Sequence, residues 1–389
     1  MRVLFLTHSF PRHPGDVAGA FILRLATALA NEDVAVKVIA PATASVPHED
    51  VMDGIPIHRF RYSPRALETL AYEGNMATQV KESWSAKLAL VALLGAELQA
   101  ALSELRRERY DVVHAHWWFP NGVAGVAAAR WAALPLVTTL HGSDVRLGRA
   151  IRAARPAMRQ VLRRSARVTA VSRWLAEEAQ QVAGGELPVV APMPVATGLF
   201  TPDSSTPRDE TLLFVGRLTR QKGVDLLLRA LSSLPDSITL DIVGDGEERA
   251  ALLALAGSLG VERRVRWYGA RPASELARFY RRAAALVIPS TEEGLGLVAV
   301  EAQLCETPVI AFASGGVVDV IRGGETGILV GERTPDALAR AIARLLETPD
   351  RGAALGRQGA ARARAAFAAD KVAQRYADIY REAIARAAR

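Results

Sequence analysis

The sequence predicts an α/β chain made of two successive doubly wound, parallel-sheet domains. Three observations predict it. Short β-branched and aliphatic runs recur along all 389 residues. Each is followed by a polar turn and then a stretch of helical length and period. The alternation breaks once, where Pro188, Pro192, Pro194, Gly198, Pro202 and Pro207 crowd together, and then restarts. The length suits two domains of ordinary size, and 50% hydrophobic content can fill a core in each.

In order, residues 2–7 read as a buried strand, and the turn 7–19 after it holds Pro11, Pro14, Gly15 and Gly19. A helix over 21–31 and strands over 34–40 and 55–60 follow. Residues 64–108 read as largely helical, with an interruption near Gly74 and Asn75. A strand over 111–116 ends in His114 and His116, whose side chains are expected to diverge. Next come a helix over 122–133 and a strand over 136–140 that runs into His141-Gly142-Ser143-Asp144. A strand over 167–171 leads to Ser172, a hydroxyl suited to cap the helix after it.

Beyond the proline-rich break the strands are 211–215, 238–243, 264–268, 285–288, 308–311 and 327–330. Helices over 224–233, 247–258, 273–282, 296–305 and 335–347 alternate with them. The last helix, Asp370 to about Ala388, sets Val372, Tyr376, Ile379, Tyr380 and Ile384 on one side. It either completes the second domain or crosses back to the first. Ligands of such sheets bind at the carboxyl ends of the strands, so the site is expected in the cleft between the domains.

Composition narrows the function classes. The net charge of +7 suits anionic substrates or an anionic membrane surface. Basic and aromatic residues do not interleave as in single-strand binders, so nucleic acid is not an expected partner. One cysteine, Cys305, excludes an internal disulfide framework and fits a reducing compartment. Residues 1–6 are too short for a signal core, and the apolar run 88–102 is broken by Glu97 and Gln99. The expected location is cytoplasmic, at most peripheral on the inner face of the membrane. Arg146 to Arg167 spans eight arginines and no acid, either a solvated face or a surface for anionic headgroups.

The chemistry concentrates after strand 285–288. There Glu293-Gly294-Leu295-Gly296-Leu297 forms a turn into a helix carrying Glu301. A helix start offers unused N–H groups and a positive dipole end, both suited to a diphosphate. A carboxylate one turn further in can accept hydrogen bonds from paired hydroxyls, as on a ribose. The plain alternative is an acidic pair satisfying the helix dipole. Gly216-Arg217 and Lys222-Gly223 put a cation at each end of a tight loop, which serves a diphosphate or is merely two surface charges. Gly244-Asp245-Gly246 permits close approach of a base or phosphate, but Arg249 leaves the dinucleotide fingerprint incomplete. His116, His141 and Asp144 could converge on a zinc ion, although a hydrogen-bonding pocket wall is the preferred reading and no metal is expected. Walker, nucleophile-elbow and zinc-helix motifs are absent.

Together these motifs resemble the retaining GT-B glycosyltransferases of family 4. The resemblance runs through Glu293-Gly-Leu-Gly-Leu-Val-Ala-Val-Glu301, Val215-Gly-Arg-Leu218 with Lys222, Val243-Gly-Asp-Gly246, Thr307-Pro-Val-Ile310 with Gly315-Gly316, and Thr139-Leu-His-Gly-Ser-Asp144. It implies two Rossmann-like domains facing across a cleft: an acceptor-side domain over 1–195, to which helix 370–389 crosses back, and a donor domain over 196–369. By motif, Arg217 and Lys222 hold the diphosphate, and Glu301 the ribose. Glu293, with the amides of Gly294 to Leu297, faces the donor sugar and phosphate. His141 approaches the sugar from the first domain, Gly15 and Gly19 lie near the phosphates, and Arg271 lies near the base.

The sequence departs from the family in three places. Gly15 and Gly19 are separated where the family has adjacent glycines. Glu306 stands where glycine often precedes Thr307-Pro308, and Val318-Asp319 replaces Pro-Glu after Gly315-Gly316.

The implied reaction moves a hexosyl unit from a UDP- or GDP-sugar to an acceptor hydroxyl on a glycan or lipid-linked molecule, in cell-envelope glycan, glycolipid or exopolysaccharide synthesis. No cofactor or metal enters. The alternatives are a non-catalytic nucleotide-sugar-binding subunit and a nucleotide-sugar epimerase on the same twin fold.

Overall fold

In the computed structural model, which describes every residue except 44–45, 65–67, 73–75, 204, 349, 351 and 389, the chain divides into two compact units. One is Met1–Pro194 with Ala369–Arg389; the other is Val195–Ala368.

In the first unit the chain runs β1 (Arg2–Leu6), α1 (Ala20–Leu29), β2 (Ala35–Pro41), β3 (Glu49–Met52), β4 (Ile55–Phe60), α2 (Met76–Glu82), α3 (Trp84–Arg107), β5 (Val112–His116), α4 (Val123–Ala132), β6 (Leu136–Leu140), α5 (Ser143–Ala150), α6 (Arg155–Arg164), β7 (Arg167–Ala170), α7 (Arg173–Ala183) and β8 (Val189–Val190). The sheet order is β3-β4-β2-β1-β5-β6-β7-β8, parallel apart from the β3–β4 pair. Central strands β5 and β6 are buried at every residue, as expected of strands covered on both faces. Successive strands move outward from β1 to β2 and β4, and the chain then returns to β5 on the other side. The topological switch point lies between β1 and β5.

The second unit runs β9 (Thr211–Val215), α8 (Val224–Ser232), β10 (Thr239–Val243), α9 (Arg249–Ser258), β11 (Val265–Gly269), α10 (Ala273–Arg282), β12 (Ala285–Ile288), α11 (Leu297–Leu304), β13 (Val309–Phe312), α12 (Val317–Val320), β14 (Ile328–Val330), α13 (Pro335–Glu347) and α14 (Ala353–Phe367). Its sheet is wholly parallel, in the order β11-β10-β9-β12-β13-β14, with the switch point between β9 and β12. The proline-rich entry ends at Arg208. Its guanidinium donates to the carbonyls of Tyr280, Arg281, Ala283 and Cys305, which ties the carboxyl ends of α10 and α11 together.

The last helix, α15 (Ala369–Ala387), packs in the first unit against α1, β5, β6 and β7. Tyr380 Oη lies 2.8 Å from His114 Nδ1, and Tyr376 donates to the carbonyl of Ala191.

Several elements differ from the sequence reading. Residues 68–72 are not helical; side chains hold the segment instead. Leu70 N–H donates to the Tyr62 hydroxyl, and Glu68 accepts from Tyr62 N–H and Arg61. The helical break expected at Gly74 and Asn75 lies outside the described residues. The described break falls at Ser83, whose hydroxyl caps α3. Strand β3 was not foreseen, being a short, polar edge strand. Helices α5 and α14 also escaped the pattern. In α14, small residues replace a large apolar stripe: a Cβ on Gly356 would lie 2.0 Å from the carbonyl oxygen of Glu306 at the end of α11.

Helix α3 is longer than the apolar run suggested. By length and composition alone it could cross a membrane, and a third of its most apolar window is buried. The arginine-rich stretch is largely tied down. Arg155 donates to Gly148 and Arg149 carbonyls, Arg159 to Ala183 O, Arg149 pairs with Glu178, and Arg167 pairs with Glu382.

Candidate functional site

In the second unit, three loops meet at the carboxyl edge of the sheet beside the switch point. After β9, Gly216 N–H bonds to Val243 O and Leu218 N–H to Asp245 O, so this loop lies on the one following β10. Gly244 and Gly246 have a packing reason to be glycine. A Cβ at Gly244 would sit 1.8 Å from Gly216 O, and one at Gly246 would sit 2.3 Å from Leu218 O. The space they leave is filled by backbone, whereas the sequence reading had kept it for a ligand. Arg217 is exposed at the rim of this edge. Arg271 is folded onto its own loop: its Nε donates to Tyr268 O at 3.1 Å and its guanidinium stands 3.7 Å from Glu275.

The third loop follows β12 and is clamped from two sides. Gln221 donates to Thr291 O and Glu292 O. On the other side Gly316 N–H donates to Glu293 O, and Glu292 N–H to Ser314 Oγ. The clamp brings Lys222 Nζ to 2.6 Å from Glu293 Oε1, an ion pair between residues 71 apart in sequence. Beyond it, Gly294 continues the turn and Leu295 anchors it with a buried side chain. Gly296, at φ +87°, caps α11, whose first residue is Leu297. The open first turn of α11 therefore faces the same edge as Lys222 and Glu293.

Glu301 lies in the middle of α11 and is buried. Tyr280, from α10, donates its hydroxyl to Glu301 Oε2 at 2.8 Å. Burial, reinforced by the Glu301 carboxylate, holds the Tyr280 phenol well above its ordinary value, so it remains a donor.

In the first unit the carboxyl edge carries rings. His114 and His116 do not diverge. They lie two residues apart on one strand, so they share a face, with ring centroids 4.2 Å apart. His116 Nδ1 stands 3.1 Å from His141 Nε2, and Trp117 lies against His141 at 4.3 Å. Burial pulls His114, His116 and His141 well below the ordinary histidine range, leaving a neutral patch. Asp144 does not join them as a ligand. Its carboxylate accepts backbone N–H groups of Trp118, His141 and Gly142 at the start of α5, and burial raises its pKa. Among the described residues no three His, Cys, Asp or Glu side chains gather as a metal site. In the turn after β1, Gly19 is crowded, with Ser9 O 2.2 Å from an added Cβ, whereas Gly15, at φ +84°, faces open space.

Sequence reasoning missed Tyr280 and Trp117. Neither stands at a motif spacing from the residue it touches, because the contacts are made between separate elements.

Both edges are built at the switch points of doubly wound sheets. Solved structures share this fold over nearly the whole chain. Sucrose-phosphate synthase of Thermosynechococcus elongatus superimposes with a TM-score of 0.82 at 24% identity, covering 99% of each chain. HepE of Anabaena, solved with UDP-glucose, gives 0.74 at 24%, covering 97% of this chain and 99% of its own. The fold is that of a GT-B glycosyltransferase.

The sequence comparisons are more specific. The model for glycosyl transferases group 1 matches residues 202–362, and the glycosyl transferase 4-like domain matches 18–196. A D-inositol 3-phosphate glycosyltransferase of Xylanimonas cellulosilytica is 32% identical, covering 96% of this chain and 93% of the relative. One of Thermobispora bispora is 37% identical, covering 72% of each. The chain belongs to the group 1 glycosyl transferases.

Proposed function

We propose that the chain transfers a hexosyl unit from a UDP- or GDP-sugar to an acceptor hydroxyl, with retention of anomeric configuration and without a metal ion. The observation that carries this reading is the Lys222–Glu293 pair at the open end of α11, on the same turn-and-helix as the Tyr280-held Glu301. As the sugar leaves, its diphosphate gains negative charge. Lys222, Arg217 and the amide end of α11 are preorganised donors for that charge. When phosphate takes Lys222, Glu293 is released towards the sugar. Glu301, whose Oε2 accepts from Tyr280, is the carboxylate placed to accept from the ribose hydroxyls. His141 contributes a neutral imidazole to the sugar. Attack from the face that the diphosphate leaves gives retention and requires no protein nucleophile.

The names of the relatives favour a small hydroxylated phosphate, D-inositol 3-phosphate, as the first acceptor to try. A glycan or lipid-linked acceptor in cell-envelope, glycolipid or exopolysaccharide synthesis is the second. Peripheral attachment to an anionic membrane rests on Trp84, Leu88 and Val91, which are exposed along one side of α3 with Lys87 over the Trp84 ring.

The test has two stages. Thermal shifts against UDP-, GDP- and ADP-sugars identify the donor: one nucleotide should raise the melting temperature. NMR of the product formed from that donor and D-inositol 3-phosphate then reads the anomeric configuration. An inverted product, or nucleotide binding without any transfer to either acceptor class, counts against the proposal.

A further inference from the structure

A chain of polar side chains in the first unit lies beside the imidazole patch and has no part in the reading so far. Glu97, on α3, is fully buried. Its Oε1 accepts the side-chain amide of Asn121 at 2.5 Å. The oxygen of that amide stands 2.6 Å from Nδ1 of His8. Because Asn121 turns its NH2 to the carboxyl group, it has only an acceptor for the ring, so His8 donates from Nδ1. A neutral imidazole in that tautomer keeps a lone pair on Nε2. Nε2 makes no hydrogen bond among the described residues.

The position of the ring gives this lone pair a use. His8 follows β1 at the carboxyl edge, next to the switch point. It lies against Trp117 at 4.4 Å, and Trp117 in turn lies against His141. The arrangement is costly. Glu97 Oε2 is buried without a partner among the described residues, and an apolar side chain there would avoid that cost. Its visible product is one fixed orientation and one fixed tautomer of His8.

We propose that His8 binds the acceptor: its Nε2 accepts a hydrogen bond from the acceptor hydroxyl and turns the oxygen lone pair towards the sugar, while Asn121 and Glu97 position the ring. This rests on the transferase reading above. No proton leaves the hydroxyl for His8 in this role. Burial pulls the His8 ring down to about 4, so it stays an acceptor at neutral pH. Burial likewise pushes the Glu97 carboxyl up to about 8, so the chain carries no charge there.

The experiment uses the full chain, UDP as nucleotide probe, and the donor and acceptor that the wild type turns over. His8→Ala should raise the acceptor KM about 5- to 10-fold, the worth of one lost hydrogen bond, and leave the UDP Kd unchanged. Asn121→Asp keeps an acceptor for Nδ1–H and adds charge, so it should retain the acceptor KM and move the acid limb of the kcat/KM profile to higher pH. An unchanged acceptor KM in folded His8→Ala overturns the proposal. Nitrogen-15 NMR of the wild-type histidines is independent of turnover. A non-protonated Nε2 on His8 bears out the tautomer that the proposal needs whatever becomes of the transferase reading, and a protonated Nε2 sinks the proposal even if that reading stands.

Discussion

The two carboxyl edges of this chain are built on opposite principles. In the second unit the edge is charged: Lys222, Glu293 and Arg217 gather around glycine-bearing loops and a helix end. In the first unit it is a neutral assembly of His8, His116, His141 and Trp117, backed by a carboxyl group that burial keeps protonated. On the proposed reaction, the contrast bears on how each edge would meet its substrate. A leaving diphosphate needs fixed charge, whereas a hydroxyl that must approach a cationic sugar centre needs orientation without competing charge.

The largest expected effect is on the charged edge. Gly244→Ala forces a Cβ to 1.8 Å from Gly216 O, so backbone must move. We expect a loss of more than about 3 kcal/mol in denaturant unfolding of the second unit. Gly15→Ala, in open space at φ +84°, should cost only about 1 kcal/mol. Equal losses would remove the distinction between the packed glycines and the open one.

Next comes the neutral edge. Glu97 has a folded pKa raised from 4.5 to about 8. The folded state therefore holds a proton that the unfolded chain has lost. The contribution is fully present below pH 4.5 and is lost as pH rises towards 8, at up to about 1.4 kcal/mol per unit. Glu97→Gln should flatten that fall, as read from urea midpoints between pH 5 and about 8. Parallel curves for the two proteins would mean that Glu97 is ionised.

Lys222→Ala should lower turnover more than about 10-fold, because a charged contact to the leaving group is removed. Normal transfer rates in this variant would refute its role. The smallest effect belongs to Tyr280→Phe. Glu301 loses one hydrogen bond, and the donor KM should rise about 5-fold with kcat nearly kept. A fall in kcat alone would mean that Tyr280 serves the chemistry rather than the ribose.

Much of the second unit was legible because its signals are local. The predicted helix over 273–282 is α10, and the strand over 285–288 is β12. In the first unit the local cap was legible too: Ser172 caps α7 by accepting from Leu175 N–H. The loop carrying Glu293 to Leu297 could be read from ten consecutive residues. Helix α14 was not legible, because Gly356 packs by close approach to the Glu306 backbone, Gly359 packs on the Gln303 side chain, and no large apolar stripe is left. Residues 68–72 were misread: the Leu70 amide that a helix would have used donates to the Tyr62 hydroxyl.

By itself, the sequence determined the alternation of strands and helices, the break between two α/β halves, and the short charged and glycine-rich turns. Those properties depend on neighbours within a few residues, which period and turn chemistry report. Only the tertiary structure decided that Lys222 meets Glu293, that Tyr280 holds Glu301, that Gly244 makes room for backbone, and that Glu97 reaches His8 through Asn121. Each of these pairs residues on different elements, and no spacing along a chain encodes which strand ends and helix faces the sheet order will bring together.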